Sequence, residues 1–392
     1  MKFILFIMLL IPSIKAMAYP NFIGKGYQAC LTCHYNPFGN GPLNDYGRAV
    51  GATAIADRLF VSKDTSDEEL GERSGFLFSK PNQTWFRPSL DYRGMQLDRQ
   101  IDQDKPVRKF IHMQMDATIT LKFGEADKYI ATFTHGVIPD NSVRPVNGEY
   151  NELQFSKEHY IGIRPIQELG IYLGKMDKVF GIRVPDHYSY AKRFGNLHQY
   201  SASTGVMLHW GQEEFDWGVQ AFDGAGHIEK KESEQTKGFT TKFEYSIHKD
   251  VRVGVSVLSE EDPNQNKKDM KALTAKFKVG NGSSVMAEFG EIVNTTNANL
   301  QTTSNYMFMQ NHLNLTRGLY FITTFEYFQS DIDKDSEVYV VSPGLQYFPW
   351  QRVELRAELR NERKFSSETI NNNQTPIEND SWDFIGQVHL WF

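Results

Sequence analysis

Cysteine is nearly missing from this chain: 392 residues contain two, Cys30 and Cys33. That excludes a disulfide scaffold, which needs several separated pairs. Long apolar runs are missing too. Beyond the first residues no stretch of about 18 apolar residues occurs, so no helical membrane span is expected. Basic charge is not in excess. Against 42 Lys and Arg stand 48 Asp and Glu, a formal net charge of −6. That balance argues against nucleic acid as a partner. Finally, no His and no Met lies between Tyr35 and Gly94.

What is present begins with an export signal. Lys2 gives a positive start, Phe3 to Ile14 is an apolar run, and Ala16-Met17-Ala18 is a small-x-small cleavage pattern. Residues 1–18 read as a signal peptide, with the mature chain starting at Tyr19. The run is short for a membrane anchor. Losing Lys2 and Lys15 moves the formal charge to −8. Aromatics are plentiful, with 28 Phe and 18 Tyr, yet mean hydropathy is only −0.48. Strands apolar on one face alone give this combination, in a transmembrane barrel or in a soluble sandwich or propeller.

Both cysteines fall in Cys30-Leu31-Thr32-Cys33-His34, the attachment pattern of c-type haem. Residues i and i+3 share a face of a helical turn. Two thiols there can form thioethers with the vinyl groups of one haem c while the adjacent His34 ligates iron. Three other readings compete. A redox Cys-x-x-Cys wants a βαβ context, zinc wants more ligands, and a disulfide closing so short a loop stabilises little. The stretch Asn36-Pro37-Phe38-Gly39-Asn40-Gly41-Pro42 cannot continue a helix, so the chain is expected to turn over the motif. Leu43, Tyr46 and Val50 are candidates for apolar cover. Arg48 pairs with a haem propionate or is a solvated surface charge. Residues 19–75 are few for an unaided core, so a covalent haem would form much of it. With no His or Met nearby, the iron is five-coordinate or takes its second ligand from the rest of the chain.

From about Trp85 the sequence alternates with period two. Val251, Val253, Val255 and Val257 alternate with Arg252, Gly254, Ser256 and Leu258; Val353, Leu355, Ala357 and Leu359 alternate with Glu354, Arg356, Glu358 and Arg360. Another run has Ile111, Met113, Met115, Ala117, Ile119, Leu121 and Phe123 on one face, with His112 among the residues of the other. About 16 strands are expected, with links alternately short and long. Long ones include Asp98 to Val107, Lys178 to Leu197 and Lys364 to Asp380. The final strand ends on Trp382, Phe384, Gly386, Val388, Leu390 and Phe392, one apolar face closed by a terminal aromatic. The fold class is therefore all-β: a transmembrane antiparallel barrel of about 16 strands behind a small haem-binding segment. The expected divisions are 1–18 signal peptide, 19–75 monohaem cytochrome segment and 76–392 barrel in the outer membrane. His112, His209 and His312 are expected to face the lumen. The third long link, rich in basic and aromatic residues, is expected to fold inward. It nominates His187 as distal iron ligand or pore residue, with Arg183 or Arg193 near the propionates.

These features together resemble the fused monohaem cytochrome–porin family of outer-membrane iron oxidases. Its cytochrome part often continues as Pro-x-Leu-x-x-Phe-Gly-Arg, and Pro42-Leu43-Asn44-Asp45-Tyr46-Gly47-Arg48 is similar. Here Leu follows Pro directly, and the Asn36 to Gly41 link is longer. The resemblance implies electron transfer between a small external redox donor or acceptor, such as ferrous iron, and a periplasmic cytochrome as carrier, in contact with outer-membrane lipid. Two other functions stay open: a diffusion porin whose haem segment is a plug or sensor, and a haem enzyme with an open iron site. The sequence nominates no catalytic residue.

If the motif carries haem, peroxidase staining after denaturing electrophoresis follows the polypeptide, and Cys33→Ser strongly reduces it. Equal staining of that variant would exclude attachment here.

Overall fold

The computed structural model describes residues 20–392 except 28, 40, 81–83, 102–104, 139–152, 185, 187–188, 198–200, 226–235, 281, 335 and 371–372. The expected signal peptide lies outside the described residues. Sixteen antiparallel strands form one closed barrel: β1 (Phe86–Arg99), β2 (Val107–Phe123), β3 (Tyr129–Ile138), β4 (Leu153–Ile166), β5 (Leu169–Met176), β6 (Ser203–Gly211), β7 (Phe215–Ala225), β8 (Lys237–His248), β9 (Val251–Glu261), β10 (Lys267–Val279), β11 (Ser283–Thr295), β12 (Gln301–Thr316), β13 (Leu319–Gln329), β14 (Ser336–Trp350), β15 (Val353–Ile370) and β16 (Asn373–Trp391). Each pairs with its sequence neighbours, and β1 pairs with β16 from Asp91↔Trp391 to Arg99↔Asp383. No sheet edge is left open, which is what a strand structure in lipid requires.

The faces are reversed relative to a soluble protein. Along β9 and β10 the outward residues Val253, Val255, Val257 and Leu273 are exposed, whereas Arg252, Ser256, Thr274 and Lys276 are buried inside. Aromatics gather on the outside near the short turns, including Phe123 and Tyr129 beside one turn and Trp210, Phe215 and Trp217 beside another. An apolar outer band edged by aromatics over a polar lumen is the signature of a barrel built for a bilayer.

The links alternate as expected. Short turns at 124–128, 167–168, 212–214, 249–250, 280–282, 317–318 and 351–352 share one end with the start of β1 and the end of β16. Two expectations are corrected. The stretch from Lys364 to Asp380 is mostly not a loop: β15 and β16 continue pairing to Ile370↔Asn373, so a two-stranded ribbon satisfies its own backbone. His112 does not face the lumen. A bulge opposite Arg93/Gly94 pairs Gly94 with His112 and skips Met113. His112 therefore stands outward beside Phe110 and Tyr92, whose hydroxyl is 2.9 Å from its Nδ1. Met113 and Ile111 turn inward and pack with Met95, Leu97 and Ile385.

Leu273 is 61% exposed on the outer face of β10. Leu273→Arg is expected to lower stability in phospholipid vesicles by about 2–4 kcal/mol. Thr302→Arg, close to a loop end, should cost far less. Equilibrium urea unfolding of both variants checks this.

Candidate functional site

The N-terminal segment is threaded into the short-turn end of the barrel. Helix α1 (Pro20–Ile23) leads in; Gly24 lies directly on the Gly282 backbone of one turn, where a β-carbon has no room. Helix α2 (Asp45–Val50) starts at Asn44, whose side chain accepts from the Gly47 N–H at 2.8 Å, and runs into a wider turn over Gly51–Ile55. Arg317 donates to the carbonyls of Ala56 (2.8 Å) and Thr53 (2.6 Å). The Asp57 N–H donates to the Phe348 carbonyl at 2.9 Å, and the Tyr347 hydroxyl to the Asp57 carboxylate at 2.9 Å. Asp45 is clamped by Arg87 (2.6 and 2.9 Å) and Lys122 (3.1 Å). Helix α3 (Asp67–Glu72), capped by Ser66, precedes Gly75, whose carbonyl accepts from Arg352; that guanidinium stacks 4.5 Å from the Phe78 ring centre. Every partner sits at the turn end of a strand, so this segment plugs that end.

Inside the plug, Cys30–Thr32 is one tight turn. The amides of Cys33 and His34 both donate to the Cys30 carbonyl, at 3.1 and 2.9 Å. The chain then reverses as expected: Gly39 and Gly41 take φ of +72° and +61°, and His34 pairs antiparallel with Leu43. Asn44 N–H closes the return on the Cys33 carbonyl at 2.8 Å. Phe38 at the hairpin tip meets the wall, with its ring 5.2 Å from that of His209. Asn36 Nδ2 donates to Glu158 at 3.3 Å, and Arg164 donates to the Tyr35 carbonyl at 3.2 Å. Burial pushes the Cys33 thiol up to about 12 and raises Cys30 as well. A redox pair needs a ready thiolate, so burial counts against that reading.

From the other side comes the third long link, 177–202, which folds into the lumen as expected. Val179 N–H donates to Gln220 (3.0 Å), Gly181 N–H to Ser256 (3.1 Å), Ile182 N–H to Glu288 (2.5 Å) and Tyr190 N–H to Glu326 (2.7 Å). Asp186 receives both terminal nitrogens of Arg356, at 2.9 and 3.1 Å. The link thus crosses from the β7 wall to β15 and ends in helix α4 (Tyr190–Gly195). Ile23 of the plug packs on Ile182 of the link and Met286 of the wall.

Between plug and link lies a cavity of about 310 Å³. Cys30, Cys33, His34, Leu43 and Arg48 all line it. Arg48 is buried rather than solvated and donates to the carbonyls of Leu43 (3.3 Å) and Pro88 (3.0 Å). Tyr46 faces away, its hydroxyl 3.0 Å from that of Tyr27. Arg183 reaches the cavity, but Arg193 is exposed; its neighbour Lys192 points in instead. His187 lies outside the described residues. His209 and His312 are luminal and buried but do not line the cavity. Three wall residues able to ligate iron do: Met113, Met286 and His389. The sequence reading missed Lys192, Lys242 and Lys276. Their only signal was a position on the polar face of a strand or beside Arg193.

No family model matches this chain, and no curated protein does. Solved structures do. OmpT of Vibrio cholerae in its trimer form is similar over 78% of this chain and 99% of its own, at 10% identity and a TM-score of 0.58. The anion-selective porin of Comamonas acidovorans is similar over 78% and 99%, at 7% and 0.56. OprB of Pseudomonas putida is similar over 79% and 94%, at 9% and 0.57. The fold is that of the outer-membrane porins.

A β-carbon added to Gly47 would sit 2.9 Å from the Cys33 α-carbon. Gly47→Ala is therefore expected to push α2 off the cysteine turn, at about 1–3 kcal/mol. Limited proteolysis should then cut within residues 30–60 faster than in the parent, with the barrel intact.

Proposed function

We propose that this chain is an outer-membrane porin-type channel whose turn end is closed by its own N-terminal segment, and that this plug carries one covalent haem c. The observation that carries the reading is the convergence of Cys30, Cys33 and His34 on one cavity inside the lumen. The residues suit the group. Two thiols three residues apart and an adjacent imidazole form the donor set. Phe22, Ile55, Phe348 and Trp391 offer apolar cover, and Arg48, Arg183 and Arg352 offer cations for acidic edge groups. Bound there, the group would supply one-electron redox chemistry. The protein's own part is to hold His34 by the Cys30 carbonyl and to keep bulk solvent away with the plug and the inward link. The resemblance of Pro42-Leu43-Asn44-Asp45-Tyr46-Gly47-Arg48 to the cytochrome part of the cytochrome–porins is in line with the same assignment.

A second reading is electron transfer between a small donor entering from the long-loop end and a periplasmic carrier at the turn end. It is favoured by the site's position inside the barrel wall. A haem outside the barrel would face a hydrocarbon band about 25 Å tall, whereas a luminal one, held between the plug and the inward link, lies part-way across it.

The test joins staining with conductance. The purified outer-membrane protein should stain for covalent haem, and a chain lacking residues 20–80 should give a markedly larger single-channel conductance in planar bilayers. Equal conductance of the two chains would remove the plug; an unstained parent chain would remove the haem. Reduction of the haem in whole cells by a membrane-impermeant donor separates the electron-transfer reading from a plugged porin.

A further inference from the structure

Among the cations that line the luminal cavity are Arg183 and Lys192 from the inward link, Lys242 from β8 and Lys276 from β10. Three have acids. Arg183 pairs with Asp177, while Lys242 and Lys276 share Glu244 at 3.0 and 2.6 Å. Lys192 has none at hydrogen-bonding distance. Its side chain is 5% exposed, and its ammonium makes no hydrogen bond among the described residues. The acid it approaches, Glu288, stands 3.9 Å away and already accepts from the Ile182 N–H and the Tyr306 hydroxyl. Burial pulls the Lys192 ammonium down to about 8; Glu288 offsets this in part, and Arg183 and Lys242 add to it. A buried ammonium that makes no hydrogen bond, and whose one acid stands 3.9 Å away and serves other donors, is costly unless a further anion arrives.

The same cavity is also lined by Phe22, Ile55, Phe348 and Trp391, and by the acids Asp116, Glu158 and Glu354. An occupant with a broad apolar body and an acidic edge can meet both the apolar side chains and the cations. The cysteine turn opens on the same space.

We propose that Lys192, with Arg183, Lys242 and Lys276 around it, forms a carboxylate-binding site for the propionates of the haem attached at Cys30 and Cys33, an assignment that rests on the haem-bearing plug inferred above. The inward link then does more than narrow the lumen. It contributes the cation that completes the cofactor's surroundings, so plug and link bind one group between them.

The test uses the full chain purified from outer membranes in detergent. Removing a cation beside a haem carboxylate favours the oxidised state. Lys192→Gln is expected to raise the oxidised-to-reduced ratio at fixed potential about tenfold, a fall of ~59 mV for a one-electron couple. Lys192→Arg should restore the parent potential, and Arg193→Gln, exposed on the same helix, should not move it. A merely structural lysine would not give this pattern. If Lys192→Gln fails to reach the membrane folded, Arg183→Gln carries the same expected shift. Covalent haem whose potential ignores both variants overturns this proposal alone. A parent chain without haem overturns it together with the plug assignment. An acetate block of conductance that depends on Lys192, with no change in potential, assigns the site to free carboxylates and overturns the propionate role.

Discussion

The ladder between β1 and β16 is the constraint on which the rest depends. Hydrocarbon offers no hydrogen-bonding partner, so a sheet in lipid must leave no edge. Pairing Asp91 with Trp391 through Arg99 with Asp383 removes the only two edges this sheet has. Closure over 16 strands also fixes the size of the interior. Side chains alone fill a barrel of about eight strands, whereas one of about 16 leaves an aqueous channel. Here two chain segments enter that space, the N-terminal plug from the turn end and the 177–202 link from the other.

A polar lumen makes their docking an electrostatic problem. Buried charges are tolerated when paired and hydrogen-bonded. The inward link meets that condition through its own backbone amides, which donate to Gln220, Ser256, Glu288 and Glu326 on four different strands. Arg356 joins Asp186 of the link to Glu358 of its own strand. The plug uses the complementary device, since wall arginines and lysines reach its carbonyls and Asp45. The wall thus offers mainly acceptors to the backbone amides of the link and donors to the carbonyls of the plug. Each segment sits where its backbone polarity is answered.

The barrel was legible because a strand with one face in lipid and one in water must alternate. Strand number, order and turn asymmetry followed from that pattern. The pattern failed where alternation in sequence and in space part company. Met113 is the extra residue of a bulge, so Ile111 and Met113 turn inward while Met115 and Ala117 stay outward. Nothing in an unbroken apolar alternation marks that slip. The Cys30-Leu31-Thr32-Cys33-His34 pattern was equally plain in sequence. Where it would sit was not.

By itself the sequence determined the local facts: how many strands there are, which face of most of them meets lipid, where the chain turns sharply after His34, and which two thiols lie one turn apart. These depend on neighbours a few residues away. Only the tertiary structure decided that the cysteine turn lies inside the barrel, that Arg48 is buried, and that Lys192 rather than Arg193 faces the cavity. Those outcomes rest on contacts between residues far apart in sequence, such as Arg48 with Pro88, Asn36 with Glu158 and Ala56 with Arg317. They come from the shape of the closed lumen and the charges on its wall, and no periodicity in the chain encodes either.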